Sequence, residues 1–269
     1  MYESYWGLQE KPFENTPDPR FLFHTGDSDA TFARLLYTLK SNRGAAMLTG
    51  PAGSGKTLFT RALLQKFDEA ETEVALLTQP CADGAEFLSE VLYQLGEDAP
   101  PGERQAAVHR LQEILYDNHA AGKQTLVIVD EAHLLADDGI FAEMQLLLKF
   151  QLNDAFLVTL LLAGQPPLEE KIKAFASLDQ SIASRGRLRP LEAEETSSYI
   201  AHRLAAAGRE EAVFDAEALA AIHGYAEGFP RKINNICDIA LVIGYSRKLE
   251  GLDGQWVDQL IRTERGDGA

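Results

Sequence analysis

The chain has 269 residues, 45% of them hydrophobic and 25% charged, which provides material for a sizeable core and excludes wholesale disorder. With 41 acidic against 25 basic residues, the formal net charge is −16. Such a surface repels phosphate backbones at long range, which argues against non-specific nucleic-acid binding while leaving room for a small local basic patch.

Residues 1–27 set Pro12, Pro17 and Pro19 among Tyr2, Tyr5, Trp6, Phe13, Phe21 and Phe23. Prolines deny a helix here and the rings need a surface, so an ordered arm packed on the core is expected. Asp27 or Ser28 can cap a helix reaching about Asn42, with Phe32, Leu35, Leu36 and Leu39 on one face. An alternation follows. Apolar runs at Ala45–Thr49, Val74–Thr78, Thr125–Val129 and Phe156–Ala163 predict strands. Helices are predicted at about Lys56–Phe67, Ala85–Leu95, Gln105–Ala121 (after a Pro-Pro-Gly break at 100–102) and Phe141–Phe150. Apolar strands separated by helices indicate an α/β class with a doubly wound parallel sheet covered on both faces. Beyond Pro190 the strands stop. Ala193–Ala207, Ala216–Gly224, Pro230–Leu249 and Gly254–Thr263 predict a small all-helical domain. The expected division is an arm over 1–27, an α/β domain over 28–191 and a helical lid over 192–269.

Cys81 and Cys237 offer neither a metal-ligand spacing nor a disulfide framework and read as buried apolar filler. The N-terminus carries Glu3 and lacks the apolar stretch of a signal sequence. The run Phe156–Ala163 is far short of the roughly 18–20 residues a membrane helix needs. A cytoplasmic protein without direct membrane insertion is expected, peripheral at the inner membrane through a partner at most.

Gly50-Pro51-Ala52-Gly53-Ser54-Gly55-Lys56-Thr57, followed by Leu58, fits G-x-x-x-x-G-K-[ST] in full and lies between a predicted strand and helix. Glycines let the backbone wrap an anion, and amides from about Ala52 to Thr57 converge on phosphates with help from the helix N-terminus. Lys56 then reaches the β- and γ-phosphates and the Thr57 hydroxyl can ligate Mg²⁺. About 75 residues on, Leu126-Val-Ile-Val-Asp130-Glu131-Ala-His133 ends an apolar strand in two carboxylates. Asp130 suits the Mg²⁺ shell, and Glu131 suits the general base that polarises the attacking water. His133 reads either as a packing residue or as a γ-phosphate relay. Gln165, after Leu160–Gly164 and before Pro166, is either a loop amide or a contact to the γ-phosphate or lytic water. Arg185, Arg187 and Arg189 alternate just before the expected boundary, as a solvated edge or as an arginine finger for a neighbour's ATP. Arg231, after Pro230, projects from a helix start, as a surface residue or a nucleotide contact.

In order and spacing this set resembles AAA+ ATPases along nearly the whole chain. The resemblance implies a five-stranded doubly wound P-loop NTPase sheet with a helical lid, ATP and Mg²⁺ as ligands, and a homo-oligomer with nucleotide between subunits. It implies Gln165 as sensor 1, Arg185 as the finger with Arg187 in reserve, Arg231 as sensor 2, and Gln79 as a polar residue that restrains the catalytic glutamate. Met1-Tyr-Glu-Ser-Tyr-Trp-Gly-Leu-Gln-Glu-Lys-Pro12-Phe13, Thr16-Pro17-Asp18-Pro19, Gly164-Gln-Pro and Pro230-Arg-Lys-Ile-Asn234 resemble the ExeA/GspA secretion-ATPase group and its pilus-biogenesis MshM relative. That narrower resemblance implies ATP turnover coupled to assembly of an envelope secretion or pilus complex, with a membrane-anchored or envelope partner. Departures are Ser28, Ser181 and Gly186, where that group usually has His, Arg and a bulkier residue. Two alternatives stay open. One is a DNA-associated regulator like the TniB-type transposition ATPases, for which the net charge is unfavourable. The other is a nucleotide-gated adaptor with little turnover.

Overall fold

The computed structural model describes residues 1–97, 104–153 and 155–265. The expected break at 100–102 and the last four residues of the lid lie outside them. Contacts divide the chain into two compact units: Met1–Thr25 with Ala52–Leu58 and the chain from Arg189 onward, and Gly26–Pro51 with Phe59–Leu188.

The second unit is a parallel sheet of five strands: β1 (Ala45–Thr49), β2 (Thr72–Leu77), β3 (Gln124–Val129), β4 (Thr159–Gly164) and β5 (Ile182–Arg187). Their spatial order is β2-β3-β4-β1-β5. Pairing is parallel throughout, with Leu48 opposite Ala163 and Val127 opposite Leu160. Alternate side chains point to opposite faces of a strand, and both sets are buried, as a doubly wound sheet requires. Met47, Val127, Val129, Leu160 and Leu162 join a core with residues of α3 (Gly84–Gln94), α4 (Arg104–Ala120), α5 (Asp138–Leu147), α6 (Pro167–Lys173) and α7 (Ala176–Ser181). Ala46, Leu48, Ile128 and Leu161, next to them in sequence and on the other face, are equally buried. Here Gly186 lies under α1 (Gly26–Lys40): a Cβ on it would sit 2.5 Å from Thr31 Cγ2 and 3.1 Å from Leu35 Cδ1. That close approach explains why this position carries no bulkier residue.

Three expectations shift. Helix α1 begins at Gly26, so Asp27 falls inside its first turn rather than at the cap. Strand β5 was not marked by an apolar run, because only Ile182 and Gly186 of its six residues are buried. Helices α6 and α7 also go unannounced; at seven and six residues they are too short to show a helical period.

The first unit holds the arm, the start of α2 (Lys56–Leu64), α8 (Ala193–Ala206), α9 (Ala216–Ala226), α10 (Pro230–Ser246) and α11 (Gly254–Arg265). Tyr2, Trp6, Leu8, Phe13 and Phe21 are buried in one cluster with Tyr199, Leu204, Phe214, Ile236 and Leu241. The expected arm packed on a core is specified here: its rings complete the core of the helical unit. Four modest helices carry too little apolar surface to close a core without such rings. Arg203 anchors the arm. It is buried, donates to the carbonyls of Pro12 and Glu14 (2.9 Å for the latter), and lies 4.5 Å from the centroid of Phe21. Trp6 Nε1 donates to Leu241 O at 2.9 Å.

Candidate active site

The phosphate-binding loop runs from the end of β1 into α2. Gly53 and Gly55 have φ of +76° and +93°, a region that L side chains enter at a cost, so glycine is required at both. Lys56, the first residue of α2, is buried, and the Ser54 hydroxyl is buried without a hydrogen-bond partner. A buried cation and an unsatisfied donor at a helix N-terminus fit an anion with several acceptor oxygens. Arg231 sits in the first turn of α10 against this loop. Its amide donates to Gly53 O at 3.3 Å, and a Cβ on Gly53 would lie 3.0 Å from Arg231 Cβ. The α10 start is thereby seated on the loop by backbone contact, while the Arg231 side chain is exposed.

The α/β unit presents its carboxylates at the carboxyl end of the sheet. Asp130 follows β3, is buried, accepts from the Glu131 amide at 2.9 Å, and donates its own amide to Leu77 O at 2.9 Å. Glu131 stands at φ +51° and ψ +32°, left-handed backbone that a non-glycine residue enters at a cost of roughly 1–3 kcal/mol. Such strain persists where surroundings impose it. Glu131 Oε2 lies 3.2 Å from His133 Nδ1. That ring nitrogen is buried and makes no hydrogen bond, so the two groups are in close approach only. Half-buried Gln165 follows β4, the neighbour of β3, and thus leaves the sheet at the same end. Gln79 is exposed two residues beyond β2.

A family profile described as an AAA domain matches residues 39–172, which span the phosphate loop, Asp130, Glu131 and Gln165. Those residues form an AAA domain. The chain is 34% identical over 256 residues to general secretion pathway protein A of Aeromonas hydrophila, an alignment covering 92% of this chain and 45% of that protein. The chain thus spans less than half the length of this relative. The fold is that of the Aeropyrum pernix ORC2 protein in its ADPNP–ADP complexes, with a TM-score of 0.70 at 16% identity over 97% of this chain and 75% of that one. The Aeropyrum pernix ORC1 protein in complex with DNA superposes with a TM-score of 0.68 at 16% identity, covering 95% and 71%.

Beyond the AAA domain, the three arginines before the helical unit are all engaged within the chain. Arg185 and Arg187 leave β5 on its exposed side. Arg185 Nη2 meets Asp179 Oδ1 at 2.7 Å, and Arg187 Nη2 meets Glu169 Oε1 at 3.2 Å. Arg189 forks onto Glu195 at 2.7 and 2.9 Å, and this pairing holds the Glu195 carboxyl below the usual carboxylate range. Glu195 in turn caps α8 by accepting from the Glu192 amide. Arg189 therefore has a structural role at the head of the helical unit. Exposed pairs like those of Arg185 and Arg187 contribute at most about 1 kcal/mol, so either can be exchanged for a phosphate at little cost.

Sequence spacing missed the α6 residues that surround this site. Glu169 accepts from Thr49 Oγ1 at 2.8 Å, the last residue of β1 before the phosphate loop, and also pairs with Arg187. Lys171 donates to the carbonyls of His133 and Leu135 at 2.7 and 2.6 Å. The only sequence signal was their position just after Gly164-Gln165-Pro166.

Proposed function

We propose that this protein binds ATP with Mg²⁺, hydrolyses it, and works as an oligomeric switch in the assembly of an envelope secretion or pilus complex. The observation that carries the nucleotide part is the phosphate loop itself, with Lys56 and Ser54 buried and two glycines in left-handed backbone. In this reading Gly50 to Leu58 cradle the phosphates, Lys56 neutralises them, and Arg231 adds a guanidinium fork from the start of α10. Thr57 and Asp130 hold Mg²⁺, which supplies charge neutralisation at the β- and γ-phosphates. Glu131 takes the proton of the attacking water, and Gln165 orients that water. Arg185, or Arg187 in its place, serves a neighbouring subunit.

The secretion-related part rests on the identity to general secretion pathway protein A along nearly the whole of this chain. Among the described residues no helix is long and apolar enough to cross a membrane.

ATP turnover measured against protein concentration tests the oligomer, with inactive Arg185→Ala mixed into inactive Glu131→Gln. Partial recovery of activity is expected. A concentration-independent rate, no recovery, and full activity in both Arg185→Ala and Arg187→Ala overturn the finger in trans. ATP-dependent retention of Glu131→Gln on inner-membrane vesicles from secretion-proficient cells tests the envelope role. Salt-sensitive retention on DNA with none on vesicles favours the transposition-type alternative.

A further inference from the structure

Glu131 occupies a backbone conformation it does not prefer, and something must hold it there. The residues after it form a short 3-10 turn, Ala132–Leu134, closed by Leu134 N donating to Glu131 O at 2.8 Å. The far end of that turn is capped from outside. Lys171 Nζ donates to His133 O at 2.7 Å and to Leu135 O at 2.6 Å, two carbonyls at the turn's negative end. Helix α6 is itself fixed: Leu168 and Ile172 are fully buried on either side of Lys171, and Leu168 N donates to Gln165 O at 2.9 Å. The turn also lies hard against the end of β4, since a Cβ on Gly164 would be 3.1 Å from His133 N. The Glu131 turn is thus held from one side by the strand that leads to Gln165 and from the other by the helix that follows it.

We propose that Lys171 is a positioning residue for hydrolysis. By bridging the carbonyls of His133 and Leu135 it locks the turn that keeps Glu131 in left-handed backbone, and it ties the base to the segment carrying Gln165. The inference rests on Glu131 being the catalytic base. Lys171 touches neither nucleotide nor water in this role; it acts through the turn. Loss of the ammonium frees two carbonyls, and Glu131 relaxes toward ordinary backbone, away from the water. Misplacement of about 1 Å costs on the order of 10²-fold in rate.

The test is a double-mutant cycle on turnover, with nucleotide affinity measured in parallel. Lys171→Met should lower kcat roughly 10- to 100-fold with unchanged ATP affinity. Lys171→Arg, which can still span two carbonyls, should recover most of the rate. Glu131→Gln should lose about 10²–10⁴-fold. Adding Lys171→Met to Glu131→Gln should then cost nothing more, because a residue that acts through another has no effect once that other is gone. A plain loss of folding would instead lower affinity and melting temperature in both backgrounds. If Lys171→Met melts below the assay temperature, Lys171→Gln is read by the same cycle. Wild-type kcat in Lys171→Met, or additive losses in the double mutant, overturns the positioning role while the base assignment stands. Wild-type turnover in Glu131→Gln overturns the base assignment, and the proposal with it.

Discussion

The phosphate loop and the Asp130-Glu131 turn, the two segments to which the proposed function assigns chemistry, are built in opposite ways. In the loop, left-handed backbone falls on Gly53 and Gly55, residues that adopt it freely. In the turn it falls on Glu131, which does not, and the conformation is sustained by neighbours: Asp130 on the amide, the close end of β4, and Lys171 on the carbonyls beyond. The first device is written into residue type and is local. The second is imposed through tertiary contacts, which lets an ionisable side chain stand where glycine would be comfortable.

The largest effect should come from removing the loop's cation. Lys56→Ala leaves phosphates without the buried cation, and ATP affinity measured by titration calorimetry should fall at least about 100-fold, by analogy with removal of a buried charged partner. Normal affinity in that variant would end the phosphate-loop assignment.

Glu131→Gly sharpens the contrast. Turnover should collapse by about 10²–10⁴-fold. Stability should hold or rise by up to about 1 kcal/mol, because the strain of left-handed backbone is relieved and the contact with His133 that goes with the side chain is partly exposed. A melting temperature well below wild type would mean that the turn is not strained.

Arg231→Ala asks whether the loop also draws on a side chain from outside it. The arginine is exposed and its backbone contact to Gly53 survives the change, so folding should be intact. Nucleotide affinity should weaken by roughly 10-fold, the scale of one charge-assisted hydrogen bond. Affinity and rate equal to wild type would leave Arg231 a surface residue.

The smallest effect concerns the arm. His202 stands beside Arg203 and the arm segment Leu22–His24; burial first, then the charges of Arg203 and His24, push its pKa below the ordinary imidazole value. Its Nε2 is buried without a hydrogen-bond partner. With the folded pKa below the unfolded one, this contribution to stability is complete above about pH 6.5 and is lost as pH falls below it toward the folded value. The denaturation midpoint should drop slightly from pH 7 to pH 5 in wild type and less in His202→Gln. Equal slopes would remove His202 from the account.

Much of this protein was legible in its residues, for reasons that are local. Runs such as Leu126–Val129 and Leu160–Ala163 could only be buried strands, and the spacing from Gly50 to Thr57 demands an anion. The strands of the sheet that are buried on both faces announced themselves by apolar content. The edge strand β5 did not, since its arginines face outward. Residue pattern also could not say where the arm would pack, because aromatic rings satisfy any apolar surface. The tertiary structure placed them with Tyr199 and Leu241 and buried Arg203 to hold the arm. Nor could it reveal that Lys171 and Glu169 of a seven-residue helix reach the Glu131 turn and the end of β1. Chain spacing of more than thirty residues says nothing about which backbone carbonyls a lysine will meet. Only the packing of α6 against the ends of β1 and β4 decides that.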